Sequence, residues 1–599
     1  MKKFFIKEQI KLELRSNSYF KYSLRYLFGE FIVKYKYIFF VIPFILLYLF
    51  YLDKRTYRTK NIMLFFRNGY SFFGSKRTNV YANTIQKSIC IFFFGQYVKN
   101  DLDLLSLEKK YTSIIGYKQS NEQVFSVYGY NMKISLPVNY VCSKSRTVTF
   151  EMQAWRFLNN LWGKFFRSND LKVFYDILIY MDDWLSNKQT MFRFYDMAVG
   201  IRAIHISLAL EISFSIKLER YFRKLLYDLA TIHLSELTND KKISVGNHAI
   251  WQMIGLKYLS DTLNFEHGAN FANEKVSRMI DNAFDVNGVC MESSSFYHVY
   301  NINLLNTIKN IGIFSMFDDK ICDIINKANK ITPYLLERKT HKYIQIGDSE
   351  HVQCNANVHI DKNNDCKVNK MYIKDLNSSG YQWVYNDNFF LIFHKPKGII
   401  HAHNDFLSFI LYYNDIEIFA DPGVYNYSYE KIRSWFISDK AHNTFGVKEK
   451  QISPSECNFK RSKIIKIKTH NDDIILNGYN FMNGLFKHKR EIIINSKNYN
   501  IDFIDNFSVK YGFTPEIRYI FGKNITLKEH KKNNIEIFYN EKKIANFYLD
   551  SCCAYNIYNK NDNFAWISRE WDQKESTACL VLNFNKQIYS ARSKFKFII

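Results

Sequence analysis

A chain of 599 residues, 47% of them hydrophobic, is too long for one ordinary core and has enough apolar side chains for two or three. The formal net charge of +25, from 82 Lys and Arg against 57 Asp and Glu, favours a polyanionic partner, although a compositional bias of the source genome would give the same charge. The basic residues are scattered, and no helix-turn-helix, zinc-finger or aromatic RNA-binding signature is present, which argues against a nucleic-acid binder.

The first 150 residues show little regular patterning. Residues 1–65 form a basic, aromatic segment that contains a predominantly apolar run of 16 residues at 37–52. A helix needs about 20 apolar residues to cross a bilayer squarely, and basic residues flank this run on both sides. We therefore expect either a membrane anchor or interfacial helix, or a buried helix of the fold. Residues 66–150 lack strong periodicity and are predicted to be an N-terminal extension.

Helical periodicity dominates residues 151–338. Apolar side chains such as Trp155, Leu158 and Trp162 recur at three- and four-residue steps. The same spacing predicts further helices, joined by short polar connections, over residues 191–210, 221–237, 249–258 and 302–317. Stacked helical hairpins are therefore predicted for this part of the chain.

Residues 339–599 change to short β-branched and aromatic runs separated by Asn, Asp, Gly and Lys, a pattern typical of strands. Residues 406–413 and 416–419 flank an Asn-Asp turn pair and are predicted to form a hairpin, which an Asp-Pro-Gly sequence ends. A large antiparallel β-sandwich is the simplest interpretation. The chain is thus predicted to be an α+β multidomain protein.

The densest polar cluster of the sequence surrounds the predicted hairpin. His401 and His403 are two residues apart, so on an extended segment both side chains would point to one face. Asp421 lies where the hairpin ends, close to where it begins, and His442 can return to the same place by a loop. Two imidazoles and one carboxylate suit zinc and leave a fourth position for water or another side chain. Spacing alone leaves open the alternative of solvated loop or capping residues.

A second polar cluster lies in the helical half. Asn247 and His248 precede a predicted helix, and Tyr297 lies in the sequence Ser-Phe-Tyr-His. Each piece alone has an ordinary structural explanation, because an Asn-His pair before a helix commonly caps it and a Tyr among aromatic residues commonly belongs to the core.

The order of these motifs is more specific than any one of them. Asn-His at 247, Ser-Phe-Tyr-His at 295, His-Ala-His-Asn-Asp at 401, Ala-Asp-Pro-Gly at 420 and Ala-His-Asn-Thr at 441 together resemble the heparinase II/III-like family of polysaccharide lyases. The resemblance covers roughly residues 150–599 and includes the Ile-Gly-Asp-Ser segment at 346, which looks like the family's connection between its two large domains. It implies an incomplete (α/α) toroid over 151–338 followed by an antiparallel β-sandwich over 339–599.

The resemblance also implies β-elimination on an acidic glycan that contains uronic acid. The C5 proton of a uronic acid is weakly acidic because the neighbouring carboxylate is already negative, so the enzyme must neutralise that carboxylate. By similarity, Asn247 and His248 perform this task, and Tyr297 and His401 transfer the protons. Free Tyr has a pKa near ~10, so Tyr297 would need cationic or hydrogen-bonding neighbours to act as a base and less help to act as an acid.

By the same resemblance, His403, Asp421 and His442 hold a zinc ion with a mainly structural role. Arg433, Tyr427 or a neighbouring tyrosine of the same loop would bind acidic groups of the substrate. The expected partner is an acidic polysaccharide, without nucleic acid. The sequence indicates no oligomeric state.

The basic N-terminal segment is atypical of a secreted lyase and favours a cell-envelope location, periplasmic or membrane-anchored, with a role in capsule or exopolysaccharide processing. Two other functions compete with this one. A catalytically silent glycan-binding or assembly protein would keep the fold and the metal. A hydrolase would use paired carboxylates, and no such pair stands out.

Overall fold

The computed structural model describes residues 104–115, 124–127, 130–143, 145–189, 191–356, 359–427, 431–482, 484–551 and 553–598. The predicted apolar run at 37–52 and the rest of the segment 1–65 lie outside the described residues, so both interpretations of that run stay predictions.

Helices dominate residues 104–335, which we call the helical region. They are α1 (Leu104–Ile115), α2 (Arg146–Gln153), α3 (Leu158–Ser168), α4 (Leu171–Ser186), α5 (Asp196–Ser215), α6 (Arg220–Leu237), α7 (Gly246–Thr262), α8 (Glu266–Ala283), α9 (Ser295–Ile311) and α10 (Asp318–Ile331). A short hairpin of β1 (Val124–Val127) and β2 (Tyr130–Lys133) lies between α1 and α2.

Several predicted helix limits are wrong, and the local chemistry explains both limits of one helix. The helix predicted over 302–317 begins at Ser295, because the Ser294 hydroxyl caps it by accepting a hydrogen bond from the Tyr297 amide at 3.2 Å. It ends at Ile311, because Gly312 adopts a left-handed conformation with φ +70°. The helix predicted from residue 191 begins at Asp196 instead.

Helices α5 and α7 cross at very short range. A Cβ atom at Gly255 would lie 2.1 Å from the carbonyl oxygen of Gly200, so a larger residue there would force the two helices apart. Among the described residues, α5 is the one helix long and apolar enough to cross a membrane. However, 83% of its apolar window is buried inside the protein, as in the core helix of a folded domain.

Antiparallel sheets dominate residues 366–597, which we call the strand region. A six-stranded sheet contains, in order, β3 (Cys366–Val368), β4 (Met371–Leu376), β5 (Tyr381–Tyr385), β6 (Phe389–His394), β7 (Ser408–Tyr413) and β8 (Ile416–Phe419). Helix α11 (Lys431–Phe436) and strand β9 (Phe445–Val447) follow it in the chain. The predicted hairpin is confirmed as β7 and β8, with Asn414 and Asp415 at φ +49° and +62° in the turn.

The remaining strands form three further sheets. An eight-stranded sheet has the order β10 (Lys463–His470), β11 (Asp473–Met482), β12 (Phe486–Asn495), β13 (Ile501–Val509), β22 (Ile588–Phe597), β17 (Lys542–Tyr548), β16 (Asn534–Tyr539) and β15 (Ile525–Lys531). A four-stranded sheet has the order β18 (Ala554–Tyr558), β21 (Cys579–Asn583), β14 (Pro515–Ile520) and β9. Strands β19 (Ala565–Ile567) and β20 (Glu575–Thr577) pair with each other.

The six-stranded sheet joins the two regions because both of its faces are buried. Side chains alternate across a strand, so neighbouring residues of β5 serve different cores. Val384 packs into the core that the six- and eight-stranded sheets share. Trp383 packs into a core with residues at the C-terminal end of the helical region, and its indole donates a hydrogen bond to the Tyr334 carbonyl at 3.0 Å.

The connection between the two regions returns to the N-terminus of α9. Ser294 donates a hydrogen bond to the Asp348 carbonyl at 3.0 Å, and the Asp348 amide donates one to the His401 carbonyl at 2.9 Å. Between them, Gly347 has φ +59°, and a Cβ there would lie 2.4 Å from the Ser293 carbonyl oxygen. Only glycine fits this position, and three distant segments meet around it.

Candidate active site and metal centre

The imidazole of His401 lies where those three segments meet. Its ring stacks on the phenol ring of Tyr297, with centroids 3.4 Å apart and planes at 11°. Its Nδ1 lies 3.2 Å from Asp348 Oδ2 and 3.4 Å from the Tyr427 hydroxyl, and its Nε2 lies 3.6 Å from Glu292 Oε2. An imidazole is thus held between two carboxylates and against a phenol. We call these five residues the His401 group.

The expectation that His401 and His403 lie on an extended segment is wrong. His401 has φ +52°, in the left-handed region, and strand β7 begins only at Ser408. Both rings nevertheless reach Asp348, His401 at Oδ2 and His403 at Oδ1, the latter at 3.0 Å. One carboxylate, rather than the pleat of a strand, brings the two histidines together.

The surroundings of Tyr297 favour the protonated form of its phenol. Burial is the main cause that holds the pKa of its phenol well above the usual value, and the carboxylates of Asp348 and Glu292 raise the pKa further. The hydrogen bond with the Tyr427 hydroxyl, at 3.0 Å, lowers the pKa without cancelling these effects. The phenol therefore stays protonated at neutral pH, ready to give a proton rather than to take one.

Asn247 is tied to the His401 group through Glu292. Helix α7 follows Val245, whose side chain offers no capping oxygen, and Glu292 takes that role from outside the helix. Its Oε1 accepts the Asn247 backbone amide at 3.0 Å, and its Oε2 accepts the Asn247 side-chain amide at 2.9 Å. The same Oε2 is the Glu292 oxygen nearest His401, 3.6 Å from its Nε2, so one carboxylate lies beside both residues.

His248 faces a different group. Its Nδ1 lies 3.1 Å from Asp196 Oδ1, its ring meets that of Tyr195 edge-on, and 29% of its side chain is exposed. Burial raises the pKa of Asp196, but the hydrogen bond with His248 outweighs this effect, with other hydrogen bonds, and leaves the pKa lowered. His248 therefore lies at a more exposed position than the buried Asn247 beside it, paired with a carboxylate of α5.

The predicted substrate-binding residues belong to the wall of the His401 group. Arg433, in α11, donates a hydrogen bond to Asp348 Oδ1, and its guanidinium lies 5.4 Å from the centre of the Tyr427 ring. Arg433 thus compensates the buried charge of Asp348. Tyr427 contacts Tyr297 and His401 directly through its hydroxyl.

The three predicted metal ligands form one buried cluster. His442 Nδ1 lies 2.7 Å from the Ser438 carbonyl, and His403 Nε2 lies 3.0 Å from Asp348 Oδ1. Both partners are acceptors, so these two nitrogens carry the protons of the neutral rings. The other nitrogens, His403 Nδ1 and His442 Nε2, face each other at 3.2 Å with lone pairs. Asp421 Oδ2 lies 3.4 Å from His442 Nε2 and is buried without a hydrogen-bond partner among the described residues.

Three converging acceptors with no proton between them fit a cation. Two ligands about 2.1 Å from a tetrahedral zinc ion lie about 3.4 Å apart, which is close to the separations in this cluster. Burial is the main cause that lowers the pKa of His403 and His442, which keeps both rings in the neutral form that binds metals. The side chains of His403, Asp421 and His442 can therefore hold a metal ion.

Sequence reasoning missed Asp348 and Glu292, the two carboxylates that organise the His401 group. The only signals were an acidic residue directly after a glycine in the connecting segment and a glutamate before a run of serines. Neither signal has a spacing relation to the histidines, because the contacts are formed by chain segments far apart in sequence.

Residues 370–579 match the family model described as Heparinase II/III-like, C-terminal. The resemblance to the heparinase II/III-like family is thereby confirmed. No curated protein gives a significant match to the sequence.

Several solved structures share the fold at low sequence identity. Heparinase III superposes with a TM-score of 0.63 at 15% identity, over 84% of this chain and 85% of that chain. A mutant of heparan sulfate lyase HepC from Pedobacter heparinus gives 0.53 at 13% identity, over 88% and 90%. The Heparinase III BT4657 gene product with methylated lysines gives 0.54 at 12% identity, over 86% and 89%. The predicted order of a helical part followed by antiparallel sheets is confirmed.

Proposed function

We propose that this protein is a polysaccharide lyase that cleaves an acidic, uronic-acid-containing glycan by β-elimination. The observation that carries the proposal is the stacking of Tyr297 on His401, with Asn247 held beside them through Glu292. A protonated phenol and an imidazole in contact supply an acid and a base for one reaction centre. The names of the similar structures, Heparinase III and heparan sulfate lyase, support the same class of activity.

We assign binding of the substrate carboxylate to Asn247 and His248, of which Asn247 lies beside the His401 group. The side-chain amide of Asn247 has two hydrogens and gives one to Glu292, and among the described residues the second remains available to bind the uronate carboxylate. A hydrogen bond of this kind strengthens as negative charge develops on the carboxylate during proton abstraction, and it therefore stabilises the transition state more than the substrate.

His401 takes the C5 proton and Tyr297 gives a proton to the leaving O4. The C5–H bond and the C4–O bond break, and a C4–C5 double bond forms in the product. The positive charge that develops on His401 is stabilised by Asp348 and Glu292, which lie on opposite sides of its ring. Return of a proton from His401 to Tyr297 restores the enzyme, and the Tyr427 hydroxyl, 3.4 Å from His401 Nδ1 and 3.0 Å from the Tyr297 hydroxyl, can relay it.

We further propose that His403, Asp421 and His442 bind a zinc ion. It would act mainly in structure, because a fixed His403 ring holds Asp348, and Asp348 in turn orients His401. We also propose that the helical region forms an incomplete (α/α) toroid and that the strand region forms a β-sandwich. The basic N-terminal segment supports a cell-envelope location and a role in capsule or exopolysaccharide processing.

The test is a panel of acidic polysaccharides, including heparan sulfate, hyaluronan, alginate and bacterial capsules, followed by the ultraviolet absorbance of unsaturated uronate. We expect absorbance to rise with the wild type on at least one glycan, and Tyr297→Phe to abolish the rise. Tyr300→Phe is the matched control, because Tyr300 lies one turn further along α9 and its hydroxyl accepts from Trp251 instead. It should keep the activity. No absorbance on any glycan, with glycan binding retained, would favour the silent binding protein instead.

A further inference from the structure

A second buried group adjoins the metal cluster at Asp421. It consists of His394, the last residue of β6, and Asp405, which lies on the segment leading into β7. His394, Asp405 and Asp421 are fully buried, and each offers a ligand atom within 4.8 Å of the others. The nearest approach of His394 to Asp405 is 3.6 Å, between Nδ1 and Oδ2, which is too long for a hydrogen bond.

Among the described residues, four polar atoms of this group have no hydrogen-bond partner. Both ring nitrogens of His394, Oδ1 of Asp405 and Oδ2 of Asp421 are buried and unpaired. A buried polar group without a partner costs roughly 1–3 kcal/mol, so several at one place call for a ligand that completes them. Three side chains from separate segments therefore direct unpaired acceptors at one point.

In the part of the chain that the structure describes, no lysine or arginine forms an ion pair with the carboxyl group of Asp405 or Asp421. The nearby cations are engaged elsewhere, since Lys395 donates to the Pro396 carbonyl at 3.0 Å and Arg569 donates to Glu417. An ion bound by His403, Asp421 and His442 would compensate Asp421 and leave Asp405 uncompensated. Two buried carboxylates beside one neutral imidazole match the donor set of a divalent metal ion.

We propose that His394, Asp405 and Asp421 bind a second divalent metal ion, so that the Asp421 carboxylate is shared between two metal positions. One imidazole and two carboxylates suit Zn²⁺ or Mn²⁺ better than Ca²⁺, which prefers oxygen ligands alone. Metal pairs bridged in this way lie about 3.5–4 Å apart. The proposal goes beyond the lyase function and does not depend on it, because it concerns metal content alone.

The test counts metal ions in the full chain. Protein stripped with a chelator is checked for folding by circular dichroism, titrated with Zn²⁺ and, separately, with Mn²⁺, desalted, and analysed for bound metal. We expect two equivalents of Zn²⁺ in the wild type and one in Asp405→Asn, which keeps the side-chain shape. His205→Gln is the control, because His205 is a fully buried imidazole that accepts from Trp162 in the helical region. It should keep two equivalents.

Two results would overturn the proposal. A single equivalent in the wild type, lost in His403→Ala, would mean that His394 and Asp405 share a proton instead of a metal ion. Two equivalents retained in Asp405→Asn would place the second ion elsewhere. If Asp405→Asn does not fold, His394→Gln replaces it in the test and should also bind one equivalent of Zn²⁺. Each of these outcomes is independent of the polysaccharide assay, so failure of the lyase proposal is recognised separately.

Discussion

Two buried polar clusters of the strand region differ in how completely their charges are paired. In the first, Arg490 donates to Asp505 at 2.7 and 3.3 Å and to two backbone carbonyls, and His488 lies 2.7 Å from the same carboxylate. Among these three residues, Nδ1 of His488 is the one polar atom left unpaired. In the second, His403 and His442 face each other with lone pairs, beside unpaired Asp421.

The difference separates a structural cluster from a ligand-binding one. The Arg490 cluster is closed, because its guanidinium and carboxylate satisfy each other, so it needs nothing from outside the chain. The His403 cluster is open, because its donors are spent on Asp348 and Ser438 and only acceptors remain at its centre. Removing a residue from the closed cluster should cost stability with or without metal. Removing one from the open cluster should cost only the stability that a bound metal adds, and removing one from the His401 group should cost function.

The largest expected effect is a loss of catalytic activity, because His401 and Tyr297 are proposed to act together in one reaction. His401→Ala should lower kcat about 10²- to 10⁴-fold, since it removes the proton acceptor, and should change the melting temperature little. Adding Tyr297→Phe should cost almost nothing more, because residues that act together are not additive. Steady-state kinetics on a cleaved glycan measure both effects. Fully additive losses would show that the two residues act independently.

A substitution in the closed cluster should lower the stability of the protein and leave its activity in the folded state unchanged. Asp505→Asn leaves the buried guanidinium of Arg490 uncompensated and should destabilise the protein by about 3–5 kcal/mol. The measurement is denaturant unfolding, with kcat determined at a temperature where the variant stays folded. A stable variant with lost activity would remove the distinction between the two clusters.

Metal removal should destabilise only a protein with an intact open cluster. At a metal concentration of about 100 times the dissociation constant, binding stabilises the folded state by about 2.7 kcal/mol. A chelator should therefore lower the melting temperature of the wild type and leave that of Asp421→Asn unchanged. In the chelated state the variant should be at least as stable as the wild type, because it removes a buried charge. Equal sensitivity of both proteins to chelation would contradict the assignment.

The smallest effect concerns acid stability. Burial raises the pKa of Asp505, but Arg490 and His488 outweigh it, so the pKa lies below its usual value. A carboxylate with a depressed pKa contributes stability above its unfolded pKa of ~3.9, and this contribution is lost as the pH falls through the lower folded value. Urea unfolding at pH 5 and at pH 3 should show a smaller loss in Asp505→Asn than in the wild type. Equal losses would contradict the argument.

Short sequence patterns predicted the helices and strands. The candidate site, in contrast, depends on contacts between residues that are far apart in the sequence. The β7–β8 hairpin follows from alternating apolar residues around a turn pair, which are neighbours in the sequence. Asp348 and His401 are 53 residues apart, and Asn247 and Glu292 are 45 apart. No periodicity links such positions, so the carboxylates that orient the acid, the base and the amide emerged only from the structure.

The sequence did not predict the left-handed backbone conformation of His401, for a related reason. A non-glycine residue with positive φ is uncommon, and its cost must be offset by contacts elsewhere. Here those contacts come from the Asp348 amide and carboxylate, on another segment of the chain. The motif order did predict the site residues Asn247, His248, Tyr297, His401, His403, Asp421 and His442, and their proposed roles stay predictions.

The most direct test of the central claim is the mass of the products formed from a defined uronic-acid oligosaccharide. β-Elimination adds no water, so the fragment that carries the new non-reducing end should be one water molecule lighter than the hydrolysis product and should absorb ultraviolet light. Tyr297→Phe should form neither product, and Tyr300→Phe should form the lighter one. Fragments that carry the added water would contradict the lyase account and indicate a hydrolase.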